Sequence, residues 1–483
     1  MRGITLLGLG PGDPAKLTRE AWEVLCSADQ VWLRTRQHAT VAGFPTSLKI
    51  HSFDDLYEKS DSYNEIYAEI VEKVVELGKL PPGVVYAVPG DPFVAEATCV
   101  EIALRARHLE IPLKIVNGIS FLEPVFAALN LDPYPRLVLM DAMELSLEHF
   151  PTFPPDMPVL VAQVYSQLIA AEVKVTLNAV FPDDHPVRLV HAAGSDRVII
   201  EDLQLYEIDR SKHIGMTSVL FVPPLGRGTS FEAFQEIVAH LRAPDGCPWD
   251  REQTHESLRS HLMGEAYETL AAMDSGDPEK MAEELGDLLL QIVLNAQIAS
   301  EEGEFNMAGV VKGIFDKIIR RHPHVFDGLK LDGVQGVLRN WEKLKAVERN
   351  GSEEPEKGLL DGVPLALPAL SQAQEYQDRA ARVGFDWKEV NGVLDKISEE
   401  IREVREVSND QELSVELGDL FFALVNLSRW KKVDAEAALR GMNLRFKTRF
   451  NHIEQEARKR NKNLSDLSMD EMETLWQEAK RMN

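Results

Sequence analysis

Over the first 225 residues, short apolar runs alternate with segments in which apolar residues recur every three or four positions. Residues 4–9 form an apolar run that predicts a strand, followed by the turn Gly10-Pro11-Gly12-Asp13-Pro14 and a helix over 17–28. Residues 31–33 and 84–88 are strand-like, the second ending at Pro89-Gly90-Asp91-Pro92. Helical spacing covers 95–109, and 113–116 is a strand ending at Asn117-Gly118. This rhythm predicts an α/β layer of parallel strands. After a proline-rich stretch at 150–158, strands over 159–165, 188–191, 198–200 and 218–222 predict a second α/β portion. Pro223-Pro224-Leu225-Gly226-Arg227-Gly228 closes it.

From Ser230 onward the pattern changes to one of helices alone. The stretch 346–368 carries Gly351, Pro355, Gly358, Gly362, Pro364 and Pro368, and predicts a linker between two helical units, 230–345 and 369–483. The units are copies of one another. Glu284-Leu-Gly-Asp-Leu288 recurs as Glu416-Leu-Gly-Asp-Leu420, Glu265-Ala-Tyr-Glu268 matches Glu400-Ile-Arg-Glu403, and Trp341-Glu-Lys-Leu-Lys345 resembles Trp476-Gln-Glu-Ala-Lys480. Internal similarity of this length marks a duplicated folding unit.

Composition narrows the function. The 483 residues are 44% hydrophobic and 27% charged, ordinary for globular domains. A net charge of -26 argues against a polynucleotide partner, which needs basic surface, but not against a small phosphate held through metal ions. Cys26, Cys99 and Cys247 have no metal-binding spacing and read as free thiols in a reducing cytoplasm. The first residues lack the basic and apolar regions of a signal peptide, and no apolar run is long enough to predict a membrane span.

The chemistry-bearing pattern is acidic. In the second copy Glu399-Glu400-x-x-Glu403 is followed, after twelve residues, by Glu416-x-x-Asp419. Residues three or four apart share a helix face. Ser408-Asn409-Asp410 is a turn signal between the two pairs, so antiparallel helices joined there would gather four or five carboxylates. Leu417, Leu420, Phe421 and Phe422 suggest that the cluster is partly buried. Grouped carboxylates repel, and magnesium, a hard cation that takes oxygen ligands, would relieve the repulsion. A solvated acidic face is the plainer alternative, which the repetition of the pattern disfavours. Arg445 and Arg449, four apart, offer planar donors to phosphate, while Trp476 and Lys480 pair a flat ring with a cation.

These motifs resemble the MazG family over residues 231–483, together with Gly246-Cys247-Pro248-Trp249-Asp250, Arg321-His322-Pro323-His324-Val325-Phe326 and Val383-Gly384-Phe385-Asp386-Trp387. The resemblance implies an all-α fold that assembles as a homodimer or larger homo-oligomer. It also implies Mg2+-dependent hydrolysis of nucleoside triphosphates to the monophosphate and pyrophosphate. Carried over, Glu400, Glu403, Glu416 and Asp419 hold magnesium, and Glu399 binds a further ion or helps activate water. Arg445, Arg449 and Lys480 contact phosphates, and Trp476 the nucleoside. In the first copy Glu265, Glu268, Glu284 and Asp287 are the metal set. Gly264 stands there in place of the leading glutamate, which makes the second copy the expected catalyst. Val415 precedes Glu416 where relatives can carry an acid, and Arg445 stands where the family has a lysine.

The first half carries a second constellation: Gly8, Gly10, Pro11, Gly12 and Asp13, then Gly90, Asp91 and Pro92, then Gly118 and Ser120, each set at the end of a predicted strand. Open α/β sheets bind ligands at the carboxyl ends of their strands. Together these turns resemble the tetrapyrrole (corrin/porphyrin) methylase family over residues 1–223, which implies two α/β subdomains around S-adenosylmethionine. Leu33-Arg34-Thr35-Arg36 is closer to the variant fused to MazG units. Two rivals to the hydrolase remain open: an S-adenosylmethionine-dependent methyltransferase whose helical half serves regulation or assembly, and a non-enzymatic helical interaction module.

Overall fold

A computed structural model describes residues 3–57, 59, 62–350, 358–407 and 409–482. It divides into two compact units, residues 1–251 and 252–483.

In the first unit β1 (Ile4–Gly8), β2 (Gln30–Leu33), β3 (Lys49–Ser52), β4 (Val84–Val88) and β5 (Leu113–Val116) form one sheet in the order β3-β2-β4-β1-β5. All of its strand pairs are parallel, as the alternation of strands and helices predicts. Strand β1 is apolar on both faces because both are covered. Leu6 packs with Tyr86, Ile70 and Ile102 on one side, and Leu7 with Leu25, Leu33 and Val116 on the other. Thr18 caps the Arg19–Ser27 helix by accepting the Ala21 N–H at 3.2 Å. Strand β3 gives no sequence signal: Lys49-Ile-His-Ser52 has one aliphatic residue and lies at the sheet edge.

The second sheet is mixed rather than parallel. It comprises β6 (Val138–Asp141), β7 (Val159–Ala162), β8 (Pro186–His191), β9 (Ile199–Gln204) and β10 (Val219–Val222), in the order β6-β7-β10-β8-β9. Only β6 and β7 run parallel; the remaining neighbours are antiparallel. Residues 192–198 are too short for a crossover between β8 and β9, so those strands pair as a hairpin.

The second unit contains no strand among its described residues. The first copy supplies helices Arg259–Ser275, Pro278–Glu302, Met307–Arg321 and Gly333–Asn350; the second supplies Ala369–Arg382, Val390–Glu406, Asp410–Trp430, Ala435–Lys459 and Met469–Met482. Helix ends are set by local chemistry. Gly276 and Gly303 adopt positive φ at C-caps, Asp277 caps the next helix ahead of Pro278, and Asn409 accepts the Glu412 N–H. Of the predicted turn residues, Asn409 is therefore a cap and Asp410 begins the helix, while Ser408 lies outside the described residues. The Gly333–Asn350 helix runs into the stretch expected to be a linker, whose residues 351–357 also lie outside the described set. From residue 252 onward the copies share one compact unit, and Arg440 Nε bonds Asp274 Oδ2 at 3.0 Å between them. No described helix is long and apolar enough to cross a membrane.

Candidate functional site

The Val390–Glu406 and Asp410–Trp430 helices pack as an antiparallel hairpin around Val393, Ile397 and Ala423, with Leu420, Leu427 and Trp430 against them. Their acidic faces meet. Ligand-capable oxygens of Glu399, Glu400 and Glu403 lie within 4.8 Å of one another, and so do those of Glu400, Glu416 and Asp419. Glu400 belongs to both groups and is 2% exposed. One of its oxygens accepts from Lys396 Nζ at 2.7 Å, and its Oε2 is buried with no partner. A buried carboxylate oxygen without a donor is costly, and the surrounding oxygens are the donor set a hard divalent cation takes, so these residues fit a magnesium ion.

Electrostatics divides the cluster. Lys396 also bonds Glu399 Oε1 at 2.8 Å, which lowers the Glu399 carboxyl below its ordinary value and raises the lysine above its own. Desolvation, then the Glu400 and Glu416 carboxylates, raises Glu403. Lys396 is a site residue that sequence reasoning missed, although its i, i+3 and i, i+4 spacing to Glu399 and Glu400 was available. The cluster is partly buried, as its apolar neighbours suggest: Glu400 is buried, Glu399 and Glu416 are half-buried, and Glu403 and Asp419 are exposed. Of those neighbours Leu420 packs inward, whereas Phe421 and Phe422 are 57% and 47% exposed.

The first copy repeats the arrangement more sparsely. Oxygens of Glu265, Glu268 and Glu284 lie within 4.8 Å of each other, with Asp287 exposed one turn along. Thr269, buried between the helices, donates to the carbonyls of Glu265 (2.7 Å) and Glu284 (3.2 Å), which fixes their spacing. Glu284 Oε2 is buried and unpartnered. Desolvation raises that carboxyl, and Glu268, Glu283, Asp287 and Glu265 raise it further.

The cationic and aromatic residues gather on a different helix pair, Ala435–Lys459 with Met469–Met482. Arg449 Cζ stands 5.5 Å from the Trp476 ring centroid, and the Phe446 ring is 5.3 Å from the same indole. Trp476 also packs on the core of Ile453, Ala457, Leu467 and Leu475, so its ring already has protein neighbours. Arg449 Nε is buried without a partner; Arg445 and Lys480 are exposed. In the first copy Trp341 stands edge-on to His322, with ring centroids 5.1 Å apart. The Asp386 of Val383-Gly384-Phe385-Asp386-Trp387 is a clasp, accepting from Arg429 Nη2 (2.5 Å) and Trp430 Nε1 (3.2 Å).

In the α/β unit the three predicted turns meet at the ends of neighbouring strands β4, β1 and β5. Gly10 and Gly90 exchange backbone hydrogen bonds of 3.1 and 2.9 Å. A Cβ on Gly8 would lie 2.5 Å from the Gly118 nitrogen and 2.6 Å from the Gly90 oxygen, so glycine there serves the approach of one chain segment to another. The predicted side chains are mostly engaged. Asp91 accepts from Phe93 N (2.9 Å), Asn117 Nδ2 (3.0 Å) and Gly118 N (3.2 Å). Ser120 donates to Glu123 at 2.5 Å, and Asp13 caps the Pro14–Lys16 turn. Pro11 faces Gly194, whose carbonyl accepts from Lys16 Nζ, so the 192–197 loop reaches the first turn. What these turns leave for a ligand is chiefly backbone, with Gly12 and Gly90 held at positive φ.

Two buried polar networks had no sequence signal. Arg34, from the quoted Leu33-Arg34-Thr35-Arg36, pairs with Glu96 and donates to Tyr57 (3.1 Å) and Tyr67 (2.6 Å); Glu96 in turn accepts from Thr98 at 2.5 Å. His191 Nδ1 lies 2.8 Å from Ser218 Oγ and its Nε2 lies 2.9 Å from Glu201. Each network joins residues from separate elements, which periodicity along the chain does not register.

The family model for tetrapyrrole (corrin/porphyrin) methylases matches residues 3–209, and that for the MazG nucleotide pyrophosphohydrolase domain matches 253–326. The uncharacterized protein YabN of Bacillus subtilis (strain 168) is 41% identical over 491 residues, spanning 99% of this chain and 98% of its own. The nucleoside triphosphate pyrophosphohydrolase/pyrophosphatase MazG of Thermotoga maritima is 43% identical over 253 residues, 52% of this chain and 96% of that protein. The nucleoside triphosphate pyrophosphohydrolase of Escherichia coli (strain K12) is 42% identical over 251 residues, 51% of this chain and 95% of that protein. The chain therefore belongs to the family that fuses a tetrapyrrole methylase domain to MazG-type nucleotide pyrophosphohydrolase units.

Proposed function

We propose that the helical half hydrolyses nucleoside triphosphates to monophosphate and pyrophosphate with magnesium, and that the second copy is the catalyst. The observation that carries this is Glu400, almost wholly buried, with one carboxylate oxygen unpartnered amid Glu399, Glu403, Glu416 and Asp419. Glu400, Glu403, Glu416 and Asp419 would hold the ion. When bound, magnesium supplies charge neutralisation for the triphosphate and a water of lowered pKa. Glu399, whose carboxyl is held below its ordinary value by Lys396 in this structure, would bind a further ion or help activate water. Arg445, Arg449 and Lys480 would bind phosphate oxygens, and Trp476 the nucleoside, with the Arg449 guanidinium spanning both roles. The first copy, with Glu265, Glu268, Glu284 and Asp287, is proposed as a metal-binding partner. The organisation proposed is residues 1–225, 230–345, a linker at 346–368, and 369–483, in a homo-oligomer of the cytoplasm.

Incubation of the purified chain with each nucleoside triphosphate and Mg2+, followed by separation of products, tests this reading. Pyrophosphate with the monophosphate is expected. Orthophosphate with the diphosphate, or no turnover, rejects it.

A second reading concerns the α/β unit, which we propose binds S-adenosylmethionine at the turns of β1, β4 and β5. Its support is the convergence of three glycine turns at adjacent strand ends, with Asp91 and Ser120 holding backbone in place. The cofactor would supply a transferable methyl group, or serve as a signal that adjusts hydrolysis. Calorimetric titration with S-adenosylmethionine, and hydrolysis assayed with and without it, separates these. Absence of binding removes both.

A further inference from the structure

Lys396 sits one turn before the acids it bonds, with Nζ 2.7 Å from Glu400 and 2.8 Å from Glu399. Its own side chain is 40% exposed, while that of Glu400 is 3% exposed. The ammonium thus enters the carboxylate pocket from the solvent side and has a route out. We propose that Lys396 is a tethered counter-ion: it neutralises the second pocket while that pocket lacks metal, and it must withdraw for a divalent cation to load. The lysine would then set the metal concentration at which the second unit becomes competent. This rests on the metal-site reading above.

The electrostatics follow from Glu400 being shared. It belongs to both oxygen groups able to receive a cation, so an ion in either group sits within a few ångströms of the ammonium. Like charges that close repel strongly away from bulk water, and one of the two has to move. The flexible lysine stem moves most readily.

The duplicate supplies a comparison within the chain. In the register that aligns Glu265 with Glu400, His261 stands in place of Lys396 and Gly264 in place of Glu399. The lysine and one of its two acid partners are thus absent together from the first copy, where Glu284 Oε2 is buried without a partner. A mere surface pair, adding a few tenths of a kcal/mol to its helix, would leave metal binding unaffected by its removal.

The test uses Mn2+ as the probe in calorimetric titration of the full chain, with Glu268→Gln and Glu284→Gln silencing the first cluster. Lys396→Met is expected to bind Mn2+ about tenfold more tightly than this parent, the scale of one charge-assisted contact. It should also melt at a lower temperature without metal and gain more on saturation. Lys396→Arg, which keeps the charge, should stay within about threefold of the parent. If methionine prevents folding, Lys396→Gln replaces it, a neutral group still able to bond Glu400. Equal or weaker Mn2+ binding by the folded neutral variant overturns the inference while leaving the metal site standing. A parent that binds no Mn2+ overturns the metal-site reading and the inference together.

Discussion

Arg449 lies over the face of Trp476, its guanidinium carbon 5.5 Å from the ring centroid, while its Nε is buried without a partner. An arginine half-stacked and half-unsatisfied is prepared to bind an anion at little ordering cost. Arg449→Ala is expected to raise KM for the nucleoside triphosphate about tenfold, and Arg449→Lys to recover only part of it, since a point charge replaces a planar donor. Trp476→Ala should destabilise by about 3 kcal/mol because the indole also fills core space. Trp476→Phe keeps most of the packing and isolates the nucleoside contact. Steady-state kinetics alongside urea melts separates the two roles; a KM unmoved by Arg449→Ala argues against phosphate binding here.

Gly264 is helical, and a Cβ built on it meets nothing within 4 Å. The first carbon of a side chain at this position therefore meets no neighbour, and Gly264→Glu restores the leading acid of the first copy. The helix gains about 1 kcal/mol from losing glycine, offset by repulsion from Glu265 and Glu268. With the second copy silenced by Glu403→Gln and Asp419→Asn, we expect Gly264→Glu to raise hydrolysis above the background of that parent. A folded, metal-binding variant with no gain would show that the missing carboxylate is not what limits the first copy.

Stability of the α/β unit should fall on mild acidification. Burial holds His191 below its ordinary 6.5, so the folded state keeps the ring neutral between Ser218 and Glu201. The unfolded chain takes up a proton near 6.5. The folded-state advantage is thus present above that pH and is lost as pH drops below it. His191→Gln should flatten the decline of melting temperature between about pH 7 and pH 5. Ser218→Ala strands the Gly215 N–H as well as the ring, and should cost about 2 kcal/mol at neutral pH. An unchanged slope in His191→Gln would place the acid sensitivity elsewhere.

Glu96 is nearly inaccessible and pairs with an Arg34 side chain only 21% exposed. Removing one partner of such a pair leaves a charge without compensation. Glu96→Gln is expected to destabilise by about 3 kcal/mol in urea melts, whereas exposed Glu23→Gln, whose partner is Arg19, should cost less than about 0.5 kcal/mol. Near-equal costs would mean that Tyr57 and Tyr67 satisfy the guanidinium by themselves.

The parts of the site that were legible in the sequence are those encoded by short-range spacing. Glu400 and Glu403 share a face because they are three apart, and Asn409 caps the second helix because its side chain accepts the Glu412 N–H locally. The three glycine turns were legible because a tight strand end demands glycine. Strand β3 was not, since Lys49-Ile-His-Ser52 borrows its pairing from β2. The antiparallel half of the second sheet depends on which strands find each other, which apolar alternation leaves open. That Phe421 and Phe422 are themselves exposed was not legible for the same reason: an aromatic records that a surface is apolar, and only the fold says whether anything covers it.

The junction of Gly8, Gly90 and Gly118 also bears on how mutations in the α/β unit are to be understood. At Gly8 even a methyl group would press on the backbone of two other strand ends. Alanine there is expected to act as a wedge between strand ends, and so to weaken binding of a ligand at these turns whether or not the ligand touches that position. At Gly12, where only the edge of His38 lies within 4 Å, the obstacle is the positive φ. Loss of function at these glycines thus measures the spacing and the handedness of backbone, and the atoms that select a ligand have to be sought in the groups around them.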